Sequence, residues 1–327
     1  MAVDLQSLVF GPVRSGRLGA SLGLDLLGAK ICSFDCLYCE VGVTRALTRV
    51  RKPYVPADKL LGELAYKLFA PHPPFDVITL GGMGEPTLNS DMGRIITGVR
   101  ELAPGVPVAV LTNSSLMADP QVRAELCLAD MVLPSMDSLL PGEFQRINRP
   151  QAGTSLTDIR QGLLAFGREY AGKLFLEVLV LAGVNDSDEN IARLEAFCRE
   201  LRPHRVDIVT MTRPGAYLEA LPAPPATLER FRQALGPLAR SGEQPEKARH
   251  FGSALDNNLS MTVHGLEARI LESLSRRPQT AGQLALGLGA SLADVSALLS
   301  GLAARGRVSL QDVQDETFYF SGDRGGL

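Results

Sequence analysis

No stretch of this sequence approaches the roughly 18 uninterrupted apolar residues that a membrane-spanning helix needs. The opening MAVDLQSLVFGPVRSGRLG also has no long apolar segment behind a basic start. No membrane association is expected, and a cytoplasmic location is. Cysteine is sparse: the chain has 5 in 327 residues, an odd number with three of them crowded together. That argues against a disulfide framework and toward metal chemistry. The four histidines, His72, His204, His250 and His264, show no metal-ligand spacing and are read as structural or solvated. Net charge is only -3, so no overall field draws the chain to nucleic acid, and any such role has to come from local patches. Internal repeats are absent too.

What is present is an alternation of two periods. Short apolar runs rich in β-branched residues read as strands: FDVITL (75–80), VPVAVLT (106–112), MVLPSM (131–136), LFLEVLVL (174–181) and VDIVTM (206–211), with a weaker run around SLGLDLL. Between them lie amphipathic stretches such as ADKLLGELAYKLFA, DMGRIITGVREL, QVRAELCLA, LTDIRQGLLAFGREY and NIARLEAFCREL. Alternating strands and helices predict an α/β fold with a parallel sheet, and six βα units suit a partial (β/α)6 TIM-like barrel better than a closed one of eight. Chemistry then gathers at the C-terminal edge of the strands, where the cysteines, GGMGEP and NSS all fall.

From about residue 221 the text becomes Pro- and Ala-rich, then polar. The expected organisation is a barrel over 1–240, a linker over 241–260 and a small domain over 261–327. In that last part HGLEARILESLSR, TAGQLALGLG and SLADVSALLSGLAARG read as helices, the second and third capped by Thr280 and Ser291. RVSLQD and ETFYF follow as a candidate hairpin, the element order of a winged helix.

The segment AKICSFDCLYCEVG carries Cys32, Cys36 and Cys39 in a CxxxCxxC spacing. Three thiolates on one loop can each hold a different iron of a four-iron cluster, leaving the fourth iron open for a ligand. Zinc, the alternative, usually takes paired CxxC ligands from separate segments plus a fourth ligand, and no second pair or nearby His follows here. Cys127 and Cys198 fall on the apolar sides of helices and are expected to be buried structural thiols.

CSFDCLYC resembles the signature of the radical SAM superfamily. The resemblance implies a 4Fe-4S cluster on Cys32, Cys36 and Cys39 and S-adenosyl-L-methionine on the open iron. It further implies cleavage of that cofactor to a 5'-deoxyadenosyl radical, and an electron donor such as flavodoxin or ferredoxin. Tyr38 matches the family position near adenine. GGMGEP resembles the glycine-rich motif that meets the methionyl ammonium, which implicates Gly82, Gly84, Glu85 and Pro86. Thr112, Asn113, Ser135 and Asp137 stand where the superfamily puts ribose and carboxylate contacts, although singly each could equally cap a helix. Glu177, Asn185 and Asp186 are further candidates at the ends of the later strands.

Longer phrases, among them FGPVRSGRLGASLGLDLL, GGMGEPTLN, AVLTNSSL, INRP and EVLVLAGVND, resemble proteins related to the wyosine synthases, which remodel a guanosine of transfer RNA. No cysteine precedes Cys32, so the second cluster of the archaeal tricycle-forming enzymes is not expected. An RNA substrate would meet Arg45, Arg49, Arg51 and Lys52, extended by Arg14, Arg17, Arg146 and Arg149. The third C-terminal helix has no basic residue, so DNA reading is not expected. The rival substrate is a peptide or protein docked by the C-terminal part. A non-enzymatic iron-sulfur sensor is a third reading, against which GGMGEP argues.

Overall fold

The structure, a computed structural model, describes residues 7–241, 263–313 and 316–321. It opens with an element that the sequence pattern hides. Val9–Ser15 (β1) contains Gly11 and Pro12, yet pairs antiparallel with Gly19–Asp25 (β2). Proline is tolerated because β1 is an edge strand, and the register shift between Phe10 and Val13 marks a bulge. Gly23 is needed opposite it, since a Cβ there would collide with the Phe10 ring.

The chain continues through the two-residue strands Ile31–Cys32 (β3) and Ala46–Leu47 (β4), then helix Ala57–Phe69 (α1) and strand Val77–Gly81 (β5). Met92–Leu102 (α2), Val108–Thr112 (β6), Pro120–Leu126 (α3) and Met131–Pro134 (β7) follow. After them come Pro141–Asn148 (α4), Leu156–Glu169 (α5), Lys173–Leu179 (β8), Asp188–Leu201 (α6), Arg205–Val209 (β9), Pro225–Leu235 (α7) and Ala239–Ser241 (β10). The main sheet runs β1-β2-β5-β6-β7-β8-β9-β10, with every pair after β1-β2 parallel. All six expected strands lie in it, flanked by the unexpected edge strands β1 and β10, so the α/β partial-barrel class is correct.

Local chemistry sets the helix starts. Ser155 and Ser187 accept from Asp158 N and Asn190 N at the heads of α5 and α6, and Asp119 accepts from Gln121 N ahead of Pro120. The Pro-rich stretch read as a change of character is instead the start of α7, where Pro225 gives up an N–H that would have no partner.

Alternation along the strands separates two faces. Ile78, Leu80, Val108, Val110, Val132, Leu174 and Leu176 join Phe166, Phe197 and Phe231 of the helices in the main core. The other face carries a small apolar cluster of Val77, Ala109 and Leu133, then polar pairs: Ser21 with Thr79 at 2.5 Å, Arg17 with Glu177, and Arg205 with Asp207. Among the described residues no helix is long and apolar enough to cross a membrane.

The C-terminal part contains Val263–Arg276 (α8), Ala281–Leu288 (α9), Leu292–Ala304 (α10) and the hairpin Val308–Val313 (β11) with Glu316–Ser321 (β12). It has a core of its own, including Ile270, Leu274, Leu284, Val295, Leu299 and Leu302. Thr280 and Gln283 form a reciprocal capping box on α9, and Ser291 caps α10. Arg276 lies 4.3 Å over the Phe10 ring and donates to the Ser7 carbonyl, touching the start of the barrel sheet. The linker expected over 241–260 lies, from residue 242, outside the described residues.

Asn89 ties three of these segments. Fully buried, it donates to the Leu26 and Val55 carbonyls at 2.8 Å each, and its side-chain oxygen accepts from Asp91 N. Asn89→Ala is expected to cost about 3 kcal/mol, on the basis of roughly 1–3 kcal/mol for each carbonyl left without a donor. Urea unfolding checks this, and an unchanged midpoint would show that the two bonds are not needed.

Candidate metal centre

The cysteine loop is pinned at both ends and along its back. Pairing of β3 with β4 fixes Ile31 and Cys32, and the Cys32 carbonyl accepts from Thr48 N at 2.9 Å. A turn joins Cys36 O to Cys39 N at 3.2 Å. Behind the loop, Leu37 N donates to Ile147 O at 2.9 Å, and Phe34 packs edge-on against Phe144 at 5.5 Å. Asp35 is a brace: its carboxylate accepts from Thr44 N at 2.7 Å and Tyr217 OH at 2.5 Å.

Each of the three sulfurs receives one nitrogen donor. Asn113 Nδ2 points to Cys32 Sγ at 3.5 Å, Asn148 Nδ2 to Cys36 Sγ at 3.6 Å, and Lys30 Nζ to Cys39 Sγ at 2.8 Å. Burial pushes the Cys32 thiol up to about 11 against the pull of Lys30, and burial raises Cys36 well above its ordinary value. Burial works against the Lys30 charge, but the neighbouring Cys39 and Cys32 outweigh it and hold the ammonium above the usual lysine range. Among the described residues, no three His, Cys, Asp or Glu side chains gather where a single ion could sit. Sulfurs set apart, each with its own donor, fit a cluster in which every thiolate takes a different iron, and do not fit tetrahedral zinc.

The GGMGEP loop lies directly against the cysteine loop. Gly82 takes φ +102° beside Asp25, whose Oδ1 accepts from Leu27 N at 3.1 Å and Met83 N at 3.3 Å. Gly84 sits so close beneath the Ile31 carbonyl that any Cβ would collide with it, and Glu85 N donates to that same carbonyl at 3.2 Å. Pro86 is buried at the start of one turn of 3-10 helix, Pro86–Leu88.

Glu85 is held by protein donors on both carboxylate oxygens. Its Oε1 accepts from Thr87 N at 3.1 Å, Thr87 Oγ1 at 2.6 Å and Thr112 Oγ1 at 2.7 Å, and its Oε2 from Asn113 N at 2.7 Å. Burial raises its pKa while these bonds pull it down. With four donors on it, the carboxylate clamps the glycine loop to the end of β6. Asp137 is built alike: it accepts from Tyr38 OH at 2.6 Å, Asn148 Nδ2 at 2.7 Å and Leu179 N at 3.0 Å, and burial raises its pKa too. Tyr38 is thereby anchored by its hydroxyl. Asn113, Ser135 and Asp137 line a small cavity with Phe34, Phe144 and Asn148. Ser114, a non-glycine at φ +68°, is held there by its hydroxyl on the Ser135 carbonyl at 2.8 Å.

Other expected residues lie elsewhere. Arg51 is tied to Thr87 O at 2.9 Å and Glu125 at 2.5 Å, and Arg17, in the turn between β1 and β2, is paired with Glu177, so neither belongs to a basic rim. Asn185 is fully buried and shapes the turn after β8 through Leu181 N, Leu179 O and Asp137 O. Cys198 is buried as expected, but Cys127 is exposed, because α3 ends just before it. The residues that sequence reasoning passed over are Lys30, Asp25 and Asn148. Only Lys30 left a signal, as a lone cation two places before a cysteine in the otherwise apolar GAKIC.

Comparison with known proteins agrees with this geometry. The family model described as Radical SAM superfamily matches residues 27–194, just over half of the chain. A UPF0026 protein of Synechocystis sp. is 42% identical over 207 residues, covering 63% of this chain and 76% of that protein. A UPF0026 protein of Helicobacter pylori is 34% identical over 218 residues, covering 66% and 70%. Among solved structures, a radical SAM methyltransferase from Sphaerobacter thermophilus shares the fold with a TM-score of 0.50 at 18% identity, over 68% of this chain and 65% of that one. With that match beginning just ahead of the cysteine loop and running through the parallel strands of the sheet, the chain belongs to the radical SAM superfamily and is an enzyme that uses a 4Fe-4S cluster and S-adenosyl-L-methionine.

Proposed function

We propose that this enzyme binds its cluster through Cys32, Cys36 and Cys39, cleaves S-adenosyl-L-methionine reductively, and directs the resulting radical at a nucleoside of RNA, with transfer RNA as the substrate. The observation that carries the first part is the set of three sulfurs on one short loop, each met by a nitrogen donor, two of them from other elements. When bound, the cluster supplies the electron that breaks the sulfonium C–S bond and gives the 5'-deoxyadenosyl radical. The protein's share is orientation and exclusion of water. The cofactor would be held across the ends of β5 to β7. Gly82 and Gly84 keep the backbone approachable, while Asn113 and Ser135 would face it. Glu85, Thr112 and Asp137 hold the surrounding loops, and Tyr38 would flank the adenine.

The RNA reading is supported by the rim beside the cysteine loop. Arg45, Arg49, Lys52 and Arg146 are exposed there, and Arg149 stacks on Tyr217 at 4.1 Å. A charged rim over a polar interior suits a phosphodiester chain that offers one base inward. The C-terminal part is read as a winged helix serving as a docking module. Leu286, Leu292 and Leu310 are exposed on it and α10 lacks basic residues, which favours a protein contact over DNA and keeps a peptide substrate as the second reading.

Cys36→Ala is expected to abolish both the iron-sulfur absorbance of anaerobically reconstituted protein and 5'-deoxyadenosine formation with dithionite; retained cleavage would remove Cys36 from the ligand set. Gly84→Ala should cut iron loading severely, because the Ile31 carbonyl has to move and takes Cys32 with it. Gly62→Ala, with nothing within 4 Å of its Cβ on α1, should be neutral or stabilising by up to about 1 kcal/mol. Equal iron content in the two variants would contradict the packing argument. For the substrate, Lys52→Ala with Arg49→Ala should lower the slope of log affinity against log salt for transfer RNA by about one for each phosphate no longer neutralised. An unaltered slope would exclude the rim and turn attention to peptides.

A further inference from the structure

The three donors that face the cysteine sulfurs are chemically unequal. Two are carboxamides and one is an ammonium, and the ammonium makes the shortest contact, 2.8 Å to Cys39 Sγ. Lys30 is itself buried, so its charge is poorly screened by water. Its backbone allows little choice of direction: the Lys30 carbonyl accepts from Ala46 N at 3.2 Å, and the next carbonyl, that of Ile31, accepts from Glu85 N at 3.2 Å. The contact of Nζ with Cys39 Sγ lays the side chain over the cysteine loop. Burying a lysine is costly unless a partner answers it, and the group within hydrogen-bond reach of its ammonium is the Cys39 sulfur.

A cluster on three thiolates becomes one unit more negative when it accepts an electron. Its reduction potential follows net charge and hydrogen bonding at the sulfurs. A buried cation on one ligand sulfur stabilises the reduced state more than the oxidised one, whereas a neutral carboxamide does so weakly.

We propose that Lys30 is a positioning residue for the cluster, whose ammonium on the Cys39 sulfur raises the cluster's reduction potential and so sets how readily it accepts its electron. The inference rests on the three-cysteine ligand set. The test therefore begins with iron content and absorbance of the reconstituted wild-type protein, so that failure of that reading is seen first and separately.

The experiment is a potentiometric titration followed by the EPR signal of the reduced cluster, without S-adenosyl-L-methionine, on wild-type, Lys30→Met and Lys30→Arg proteins. At equal iron content, Lys30→Met should make reduction about tenfold less favourable, a shift of about 59 mV to more negative potential for a one-electron couple. Lys30→Arg should recover most of it. An unshifted potential in Lys30→Met at full iron content would overturn the proposal. If S-adenosyl-L-methionine binding then proved weaker, the lysine would belong to that cofactor's carboxylate instead. Should Lys30→Met fail to load iron, recovery of loading in Lys30→Arg would show that the charge is what the site needs. Failure of both variants would reduce Lys30 to packing and overturn the proposal.

Discussion

Everything at the metal centre depends on one close approach, that of the Gly84 Cα to the Ile31 carbonyl. The contact leaves no room for a side chain, and the adjacent bond from Glu85 N to the same carbonyl locks the glycine loop to the strand that delivers Cys32. Two loops from different βα units are thus held as one surface. Backbone hydrogen bonding with glycine packing can do this at van der Waals distance, where two side-chain-bearing segments could not.

Around that surface the buried carboxylates act as tethers. Asp25, Glu85 and Asp137 are each buried, each raised in pKa by burial, and each reached by at least one donor from a neighbouring loop. An unanswered buried charge would cost several kcal/mol, so these three fix the relative positions of the cysteine loop, the glycine loop and the ends of β6 to β8. Lys30 completes the pattern with the opposite sign, its partner being the Cys39 sulfur.

The periodicities were enough to read the six parallel strands, the main helices and the edge of the sheet that carries the chemistry, because each of those signals is local. β1 escaped because Gly11 and Pro12 read as a turn, and only its edge position and bulge reconcile them with a strand. α7 escaped because prolines at its start look like breakers until the first turn is known to tolerate them. At the site, the cysteine spacing was legible by itself, while Glu85 and Asp137 could be placed but not given their partners. Saturation of a carboxylate depends on Thr112, Asn113 and Asn148, residues distant in the chain or on another element. Two members of the expected basic rim are removed from it for the same reason: Arg17 and Arg51 are consumed by Glu177 and Glu125, pairs that no local pattern announces.

On the proposed ligand set, the fold would present a cluster platform with three protein sulfurs and a fourth corner for the cofactor. Mössbauer spectroscopy of the protein reconstituted with iron-57, before and after S-adenosyl-L-methionine is added, tests this most directly. The account predicts that one iron of the four changes its isomer shift and quadrupole splitting as it gains nitrogen and oxygen ligands, while the other three stay as they were. Four equivalent irons that ignore the addition would contradict it.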